Sequence, residues 1–289
     1  MKIPDNRLSS IRQFFFNQLE KNYTSGELGA LFDALTWHYL KLNRAKMIME
    51  PDFRCSESEM LHFTRAIKRL AKQEPIQYIT GSVEFAGMNL KVNPSVLIPR
   101  PESEELCQII LAQHLEEQVH ALDICTGSGC IALALKKARP KWQVEGIDLS
   151  GDALNVAKEN ASIHQLQVKF SSADVLALDT FHWGENVFDL MVSNPPYVRR
   201  SEAADMRPEV LNHEPHLALF VDDDDALIFY KKIIELACYS LKHGGSIYFE
   251  LNEFKAEETL QLFKQYHQFK AELIRDFAGK WRFLSAIKD

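Results

Sequence analysis

The sequence lacks the features that mark secreted, membrane-spanning or zinc-binding proteins. Its 289 residues include five cysteines, an odd number without CxxC spacing, which argues against a disulfide framework and a zinc site. No apolar run reaches membrane-spanning length, and no basic flank at the amino terminus is followed by a signal-length apolar core. We therefore expect a cytoplasmic protein with no membrane partner and no metal.

An excess of basic residues is also absent from most of the chain. Residues 1–74 hold 12 of the 33 basic and 9 of the 40 acidic side chains. Residues 75–289 therefore hold 21 basic and 31 acidic side chains, a balance of −10. A protein that grips a phosphate backbone needs a basic face, so the balance predicts no direct contact with nucleic acid.

Residues 1–74 show helical patterns only. Apolar side chains recur at helical spacing over residues 8–19 and 28–42, and Ser56 with Glu59 three residues later forms a capping box. These stripes predict the core of a small helical bundle. A small helical domain in front of a larger one is often a module that recognises a partner.

Residues 75–98 have a different character. Short β-type runs at residues 77–80, 83–85 and 89–92 are separated by glycines, a pattern typical of a β-hairpin. We interpret this stretch as a β-hairpin linker and place the larger domain at residues 99–289.

From residue 121 onward, strand and helix patterns alternate. The predicted strands are 121–125, 144–149, 168–173, 188–193, 246–251, 271–277 and 282–288, and the predicted helices are 130–138, 151–163, 225–242 and 255–266. This order predicts a parallel sheet covered on both faces, with ligands beyond the carboxyl ends of the strands. The last two strands are too close in sequence for a crossover helix, so we expect an antiparallel hairpin at the sheet edge.

Glycine and aspartate residues stand at the ends of the first three strands. Asp123-Ile124-Cys125-Thr126-Gly127-Ser128-Gly129 leaves the first strand and enters a helix, whose free N–H groups can face a ligand. Asp148 ends the second strand and can accept both hydroxyls of a ribose. Asp174 ends the third strand and can receive an exocyclic amine, with the apolar Val175 beside it. Together these residues predict an adenosine site.

Two cofactors fit such a site. Gly127-x-Gly129-x-x-Ala132 is compatible with a dinucleotide fingerprint and a nicotinamide oxidoreductase, and S-adenosylmethionine is the other candidate. The fourth strand ends at Asn194-Pro195-Pro196-Tyr197, which offers no acid/base group for hydride transfer. It does offer two carbonyl acceptors beside an aromatic ring, which suit a planar –NH₂ group. This end of the sheet therefore favours S-adenosylmethionine and methyl transfer to nitrogen.

In their order and content these motifs resemble the peptide chain release factor glutamine methyltransferases, the HemK/PrmC family. The resemblance covers almost the whole chain and rests on Ile98-Pro99-Arg100-Pro101-Glu102, the glycine loop, Asp148 and residues 194–197. It implies an α/β, Rossmann-like fold that uses S-adenosylmethionine, with an antiparallel C-terminal hairpin, behind the helical domain and the hairpin linker. It also implies that the substrate is the glutamine amide in the Gly-Gly-Gln loop of release factors, and that Asn194, Pro195, Pro196 and Tyr197 are the catalytic residues.

Two positions depart from the family pattern, and two other functions stay open. Cys125 stands where the family usually has glycine, and Val175 stands where an aromatic residue is frequent; both positions bear on cofactor affinity. The alternatives are a nucleic-acid amino-methyltransferase, which shares the tetrapeptide at residues 194–197, and a non-catalytic scaffold that binds the cofactor.

Overall fold

The computed structural model describes residue 3, residues 5–50 and residues 52–289. Its contacts divide the chain into a smaller unit, Met1–Gly81 with Arg207–His213, and a larger unit, Ser82–Met206 with Glu214–Asp289. Residues 1, 2, 4 and 51 of the predicted helical domain lie outside the described residues. Of the helices in the described ranges, none is both long enough and apolar enough to cross a bilayer.

The smaller unit is helical, as its apolar spacing predicts. Its helices are α1 (Leu8–Leu19), α2 (Ser25–Leu40), α3 (Arg44–Met49), α4 (Glu57–Leu70), α5 (Ile76–Thr80) and α9 (Pro208–His213). The predicted capping box is present, since Ser56 and Glu59 bond reciprocally at the start of α4. Phe32 lies at the centre of the core, with its ring centroid 5.4 Å from that of Phe15 and 5.7 Å from that of Phe63.

One predicted β-type run, residues 77–80, is a helix in the structure. α5 begins after Pro75, whose fixed φ suits a helix start, and it ends at Gly81 in the left-handed conformation, with φ 72°. The guanidinium group of Arg69 donates hydrogen bonds to two carbonyl groups of this helix, which would otherwise lack intrahelical donors. Pro75, Gly81 and the hydrogen bonds from Arg69 therefore favour a helix over the strand that the composition of residues 77–80 suggests.

The predicted β-hairpin is confirmed. Its strands are β1 (Ser82–Phe85) and β2 (Met88–Lys91). Ala86 and Gly87 connect them with φ of 48° and 64°, as a type I′ turn requires. The hairpin belongs to the larger unit, because the Asn160 side chain donates to the Lys91 carbonyl (3.1 Å) and accepts from its N–H (2.7 Å). The hairpin is therefore packed against the larger unit, whereas the sequence predicts a linker.

A seven-stranded sheet organises the larger unit, with strand order β10-β11-β9-β6-β3-β4-β5. Its strands are β3 (His120–Ile124), β4 (Gln143–Asp148), β5 (Lys169–Ser172), β6 (Phe188–Ser193), β9 (Leu241–Glu250), β10 (Phe269–Arg275) and β11 (Trp281–Lys288). β9, β6, β3, β4 and β5 pair in parallel, whereas β11 is antiparallel to both β9 and β10. The parallel sheet and the antiparallel edge hairpin are confirmed. A separate short pair joins β7 (Val198–Arg199) to β8 (Phe220–Val221).

Helices cover both faces of this sheet. They are α6 (Pro101–Gln113), α7 (Cys130–Ala138), α8 (Gly151–Ile163), α10 (Ile228–Ser240) and α11 (Ala256–Phe263). Residues of α6, α7 and α8 share one apolar cluster, and residues of α10 and α11 share another. Successive residues of β3, Ala121 and Leu122, belong to different clusters, so both faces of this strand pack against apolar side chains.

The chain contains an acidic run at residues 222–225, shortly before α10. Asp223–Asp225 is a short 3-10 helix before α10, and its Asp225 carboxylate accepts a hydrogen bond from Lys231 at 2.8 Å. Within residue 3, residues 5–50 and residues 52–289, no group of three His, Cys, Asp or Glu side chains is arranged to hold a metal ion.

The chain direction reverses next to β3. It runs outward from β3 through β4 to β5 and then returns to β6, on the other side of β3. In open α/β sheets, ligands bind beyond the carboxyl ends of the strands at such a topological switch point.

Candidate active site

A cavity of about 360 Å³ lies at the carboxyl ends of β3, β4, β5 and β6. This volume is within the range of small-molecule sites. The predicted site residues in its wall are Cys125, Thr126, Gly127, Ser128, Asp148, Asp174, Val175, Asn194 and Pro196. The structure therefore brings four strand ends together around one space, as the βα order predicts.

Asp123 and Gly129, both predicted to contact the cofactor, lie behind the cavity wall. Asp123 is buried, and its Oδ2 atom accepts hydrogen bonds from the Thr126 hydroxyl (2.6 Å) and the Ala132 N–H (3.2 Å). Burial raises the pKa of its carboxyl group to about 7. A Cβ atom added at Gly129 would lie 3.0 Å from the Phe170 ring. These two residues shape the glycine loop and do not line the cavity.

Three residues of the loop adopt left-handed backbone conformations, Cys125 with φ 61°, Gly127 with φ 55° and Gly129 with φ 80°. At Gly127 an added Cβ atom would meet no other described atom within 4 Å, so the backbone is open to a ligand. Cys125 has a side chain in a conformation that costs an L-residue roughly 1 kcal/mol. Burial raises the pKa of its thiol well above the ordinary range, which keeps the thiol neutral and argues against a nucleophilic role.

Asp148 is held at the end of β4 by the backbone of two neighbouring loops. Its Oδ2 atom accepts from the Gly127 N–H and its Oδ1 atom from the Ser150 N–H, both at 2.9 Å. Burial raises the pKa of this carboxyl group above its ordinary value, while these hydrogen bonds lower it. Each carboxylate oxygen has further lone-pair capacity, so Asp148 can cap the loop and still accept ligand hydroxyls.

The end of β5 supplies an exposed carboxylate next to an apolar wall. Asp174 Oδ1 accepts from the Leu176 N–H at 3.0 Å, and Val175 beside it is buried. Phe229, from α10, also lines the cavity, although no sequence motif points to it. It brings an aromatic side chain to a site where Val175 stands in place of the aromatic residue that is frequent in the family. Because Phe229 lies far from Val175 in sequence, no local pattern links the two residues.

The segment after β6 places one amide group and one proline ring in the cavity wall. Asn194 is half-buried, and its Nδ2 atom donates to the Ser103 hydroxyl at 3.3 Å. Pro195 is buried and, like Tyr197, does not line the cavity. Tyr197 packs against the apolar cluster that includes α10, and burial raises the pKa of its phenol.

An ion pair ties together two further segments of the wall. Arg100 donates to Glu214 Oε1 at 2.6 Å, and the Ile98 N–H donates to Glu214 Oε2 at 3.1 Å. The Glu214 side chain is only 1% exposed. The cavity wall includes residues 95–97, 99 and 100 of one segment and residues 215, 217 and 218 of the other, so Glu214 fixes these two segments to each other. Arg100 therefore helps to hold the cavity wall together.

The fold of the chain is that of a Rossmann-like methyltransferase. It is similar to the crystal structure of a methyltransferase from Pyrococcus furiosus, with a TM-score of 0.51 and 19% identity over 78% of this chain and 98% of that chain. It is also similar to the hMettl16 catalytic domain in complex with the MAT2A 3'UTR hairpin 6, with a TM-score of 0.56 and 15% identity over 81% of this chain and 82% of that chain. Residues 106–215 match the family described as Methyltransferase small domain.

Sequence relatives identify the family. The release factor glutamine methyltransferase of Flavobacterium psychrophilum is 36% identical over 281 residues, covering 96% of this chain and 98% of that protein. The protein of the same name from Bacteroides thetaiotaomicron is 37% identical over 279 residues, covering 96% of this chain and 99% of that protein. Residues 11–81 match the family described as PrmC N-terminal domain. The chain belongs to the release factor glutamine methyltransferases, which confirms the family predicted from its motifs.

Proposed function

We propose that this chain transfers a methyl group from S-adenosylmethionine to the side-chain amide nitrogen of a glutamine in peptide chain release factors. One observation carries the proposal: in a member of this family, Asn194 opens into the same cavity as the glycine loop, Asp148 and Asp174. A residue that can hold an amide group therefore lines the same cavity as the residues of the adenosine site. The glutamine of the Gly-Gly-Gln loop, implied by the sequence resemblance, is the proposed acceptor.

The residues of the cavity fit S-adenosylmethionine. The open backbone at Gly127 and its neighbours Thr126 and Ser128 would hold the amino-acid end. The Asp148 carboxylate would accept the ribose hydroxyls with its remaining lone pairs. Asp174 would receive the exocyclic amine of adenine, with Val175 against the ring. When bound, S-adenosylmethionine supplies an electrophilic methyl group on a sulfonium ion.

The amide nitrogen of glutamine is a poor nucleophile because its lone pair is delocalised into the carbonyl group. Asn194 Oδ1, in the cavity wall, would accept one of its hydrogens and hold the nitrogen toward the methyl group, whereas Pro195, the second acceptor that the sequence predicts, does not line the cavity. Two prolines in succession leave this turn without backbone N–H groups that could compete for the Asn194 acceptor. Pro196 would form part of the wall, and Tyr197 would support the turn from behind. The rate enhancement would come from positioning and from acceptors that stabilise charge developing on nitrogen.

The remaining parts of the chain have proposed roles outside the chemistry. We infer that the helical domain of residues 1–74 recognises the release factor, because every residue proposed to hold the cofactor lies after residue 120. The −10 balance of residues 75–289 argues against a direct nucleic-acid partner. We infer a cytoplasmic location, because the proposed substrate acts in translation.

A methylation assay tests the function. The full chain would be incubated with labelled methyl donor and one of three acceptors: a release factor, its Gln→Ala variant in the Gly-Gly-Gln loop, or duplex and single-stranded nucleic acid. We expect label on the first acceptor only. Label on nucleic acid would instead support the amino-methyltransferase of nucleic acid, and binding of the donor without transfer to any acceptor would support the scaffold.

Substitution of Asn194 tests the mechanism. In Asn194→Ala, kcat should fall by roughly two or more orders of magnitude, the range seen when one preorganised polar group is lost. Its melting temperature and cofactor binding should stay near those of the parent chain. Asn252 is a matched control, because its side chain only caps a short helix by accepting from the Phe254 N–H at 3.0 Å. Asn252→Ala should lose about 1 kcal/mol of stability and keep its turnover. Normal turnover of Asn194→Ala would mean that Asn194 merely caps its turn.

A further inference from the structure

We propose that Ser103 and Glu250 are positioning residues that fix the orientation of the Asn194 amide group for methyl transfer. The inference rests on the proposed function, since it explains how the acceptor atom of Asn194 is presented to the substrate. It adds to that proposal two residues that have no proposed contact with the cofactor.

The three side chains form one hydrogen-bonded chain from the core to the cavity. Asn194 Nδ2 donates to Ser103 Oγ at 3.3 Å, and Ser103 Oγ donates to Glu250 Oε2 at 2.6 Å. Ser103 and Glu250 are each only 2% exposed, whereas Asn194 is half-buried in the cavity wall. This series of hydrogen bonds therefore begins at a buried carboxyl group and ends at the proposed reaction site.

Three elements supply these residues and hold them in place. Glu250 is the last residue of β9, which pairs in parallel with β6, and Asn194 follows the last residue of β6. Ser103 lies in the first turn of α6, two residues after Pro101, with which this helix begins. Residues on a helix and at strand ends are held more rigidly than residues on free loops, which suits a positioning role.

The Glu250 carboxylate determines which groups donate and which accept along this series of hydrogen bonds. Glu250 is ionised above its pKa of about 7, and an ionised carboxylate can only accept hydrogen bonds, so in this form Ser103 uses its single O–H to donate to it. Ser103 can then only accept from Asn194, which requires the NH₂ group of the amide on that side. The carbonyl oxygen Oδ1 is thereby the amide atom left for a ligand in the cavity.

The opposite orientation would prevent the proposed chemistry. If the Asn194 amide were rotated, its NH₂ group would face the NH₂ group of the substrate glutamine, donor against donor. An isolated asparagine has no strong preference between these two orientations, because its oxygen and nitrogen differ little in size. The Glu250–Ser103 pair removes this ambiguity, so its loss should reduce kcat and have little effect on cofactor binding.

The test compares four variants of the full chain. Ser103→Ala removes the hydroxyl, Ser103→Thr keeps it, and Glu250→Gln replaces the obligatory acceptor by a group that can also donate. Ser240→Ala is the matched control, because the Ser240 hydroxyl is buried and has no hydrogen-bond partner within the described part of the chain. Each variant is assayed for kcat, for KM of the release factor, for S-adenosylmethionine binding by calorimetry and for melting temperature.

We expect Ser103→Ala to lower kcat by about tenfold to a hundredfold, as fits the loss of one oriented hydrogen bond. Ser103→Thr and Ser240→Ala should stay near the parent value, and Glu250→Gln should lie between. Cofactor affinity should change little in all four. In an Asn194→Ala background, measured in single-turnover assays, Ser103→Ala should have no further effect, because it acts through Asn194.

Several results would overturn the inference. A parent-like kcat for Ser103→Ala, or full additivity of Ser103→Ala and Asn194→Ala, would show that Ser103 does not act through Asn194. A loss of kcat that follows only the melting temperature would show a purely structural role. These results differ from a failure of the proposed function, in which the parent chain itself would not methylate the release factor.

Discussion

Replacing Glu250 by glutamine should raise the free energy of unfolding at alkaline pH and leave it nearly unchanged in acid. Burial raises the pKa of this carboxyl group from its ordinary value of 4.5 to about 7, and the Ser103 hydrogen bond partly opposes the shift. Glu102 also raises this pKa, whereas Arg282 and Arg100 lower it. The phenols of Tyr197 and Tyr230 face the same group, and burial raises the pKa of both, so neither titrates near neutrality.

The direction of this pH dependence follows from the number of protons bound by the folded and the unfolded chain. Below about pH 4 the carboxyl group is protonated in both the folded and the unfolded chain, and its contribution to stability is fully present. Between the unfolded and the folded pKa the folded chain binds more protons, so the free energy of unfolding falls as pH rises. Above about pH 7 the loss is complete. A pKa change from 4.5 to about 7 corresponds to roughly 3 kcal/mol.

Glutamine keeps the shape of the side chain and does not ionise, so Glu250→Gln should be more stable than the parent by roughly 3 kcal/mol at pH 8. Urea denaturation of both proteins at several pH values between 4 and 8 measures the difference. Glu257→Gln, an exposed substitution on α11, controls for the loss of one negative charge. Parallel curves for parent and Glu250→Gln would refute the reasoning, because they would mean that Glu250 ionises equally in both states. With the expected loss of kcat, this variant would gain stability and lose activity together.

Three further predictions concern the cavity. Asp148→Ala should weaken S-adenosylmethionine binding by about 1–3 kcal/mol in calorimetry; a parent chain that binds NAD and not S-adenosylmethionine would contradict the assigned cofactor. Cys125→Gly should raise the free energy of unfolding by about 0.5–1 kcal/mol in urea, because glycine accepts the left-handed φ; a clear loss of stability would show that packing of the thiol outweighs backbone strain. Glu214→Gln should lower both the melting temperature and cofactor affinity, because it leaves Arg100 without a carboxylate; if neither changes, Glu214 does not fix the cavity wall.

Much of the fold could be predicted because the strands are short apolar runs with clear stops. The bounds predicted for α7, α8 and β6 are those of the structure. The start of β9 was missed, since His243, Gly244 and Gly245 suggest a turn, whereas the strand begins at Leu241. Gly244, with φ 76°, and a register shift against β6 allow the strand to continue through this irregularity.

The site was predictable where its residues follow strand ends and hidden where they meet through tertiary contacts. Asp148 is the last residue of β4 and Asn194 directly follows β6, so the βα order alone places them at one edge of the sheet. The Ser103–Glu250 bond joins residues 147 positions apart, and the Arg100–Glu214 bond joins residues 114 positions apart. No local pattern links such pairs. Glu250 did carry one usable signal, a carboxylate at the end of a predicted apolar strand.

The wall of the cavity has a kinetic consequence. Its residues extend along the chain from Ser95 to Phe229, so the cavity exists only after segments far apart in sequence have come together. Contacts of such long range are slow to form and belong to the late stages of folding. A ligand that needs all of these segments stabilises the native state far more than the folding transition state. Bound cofactor should therefore slow unfolding and leave the rate of folding almost unchanged.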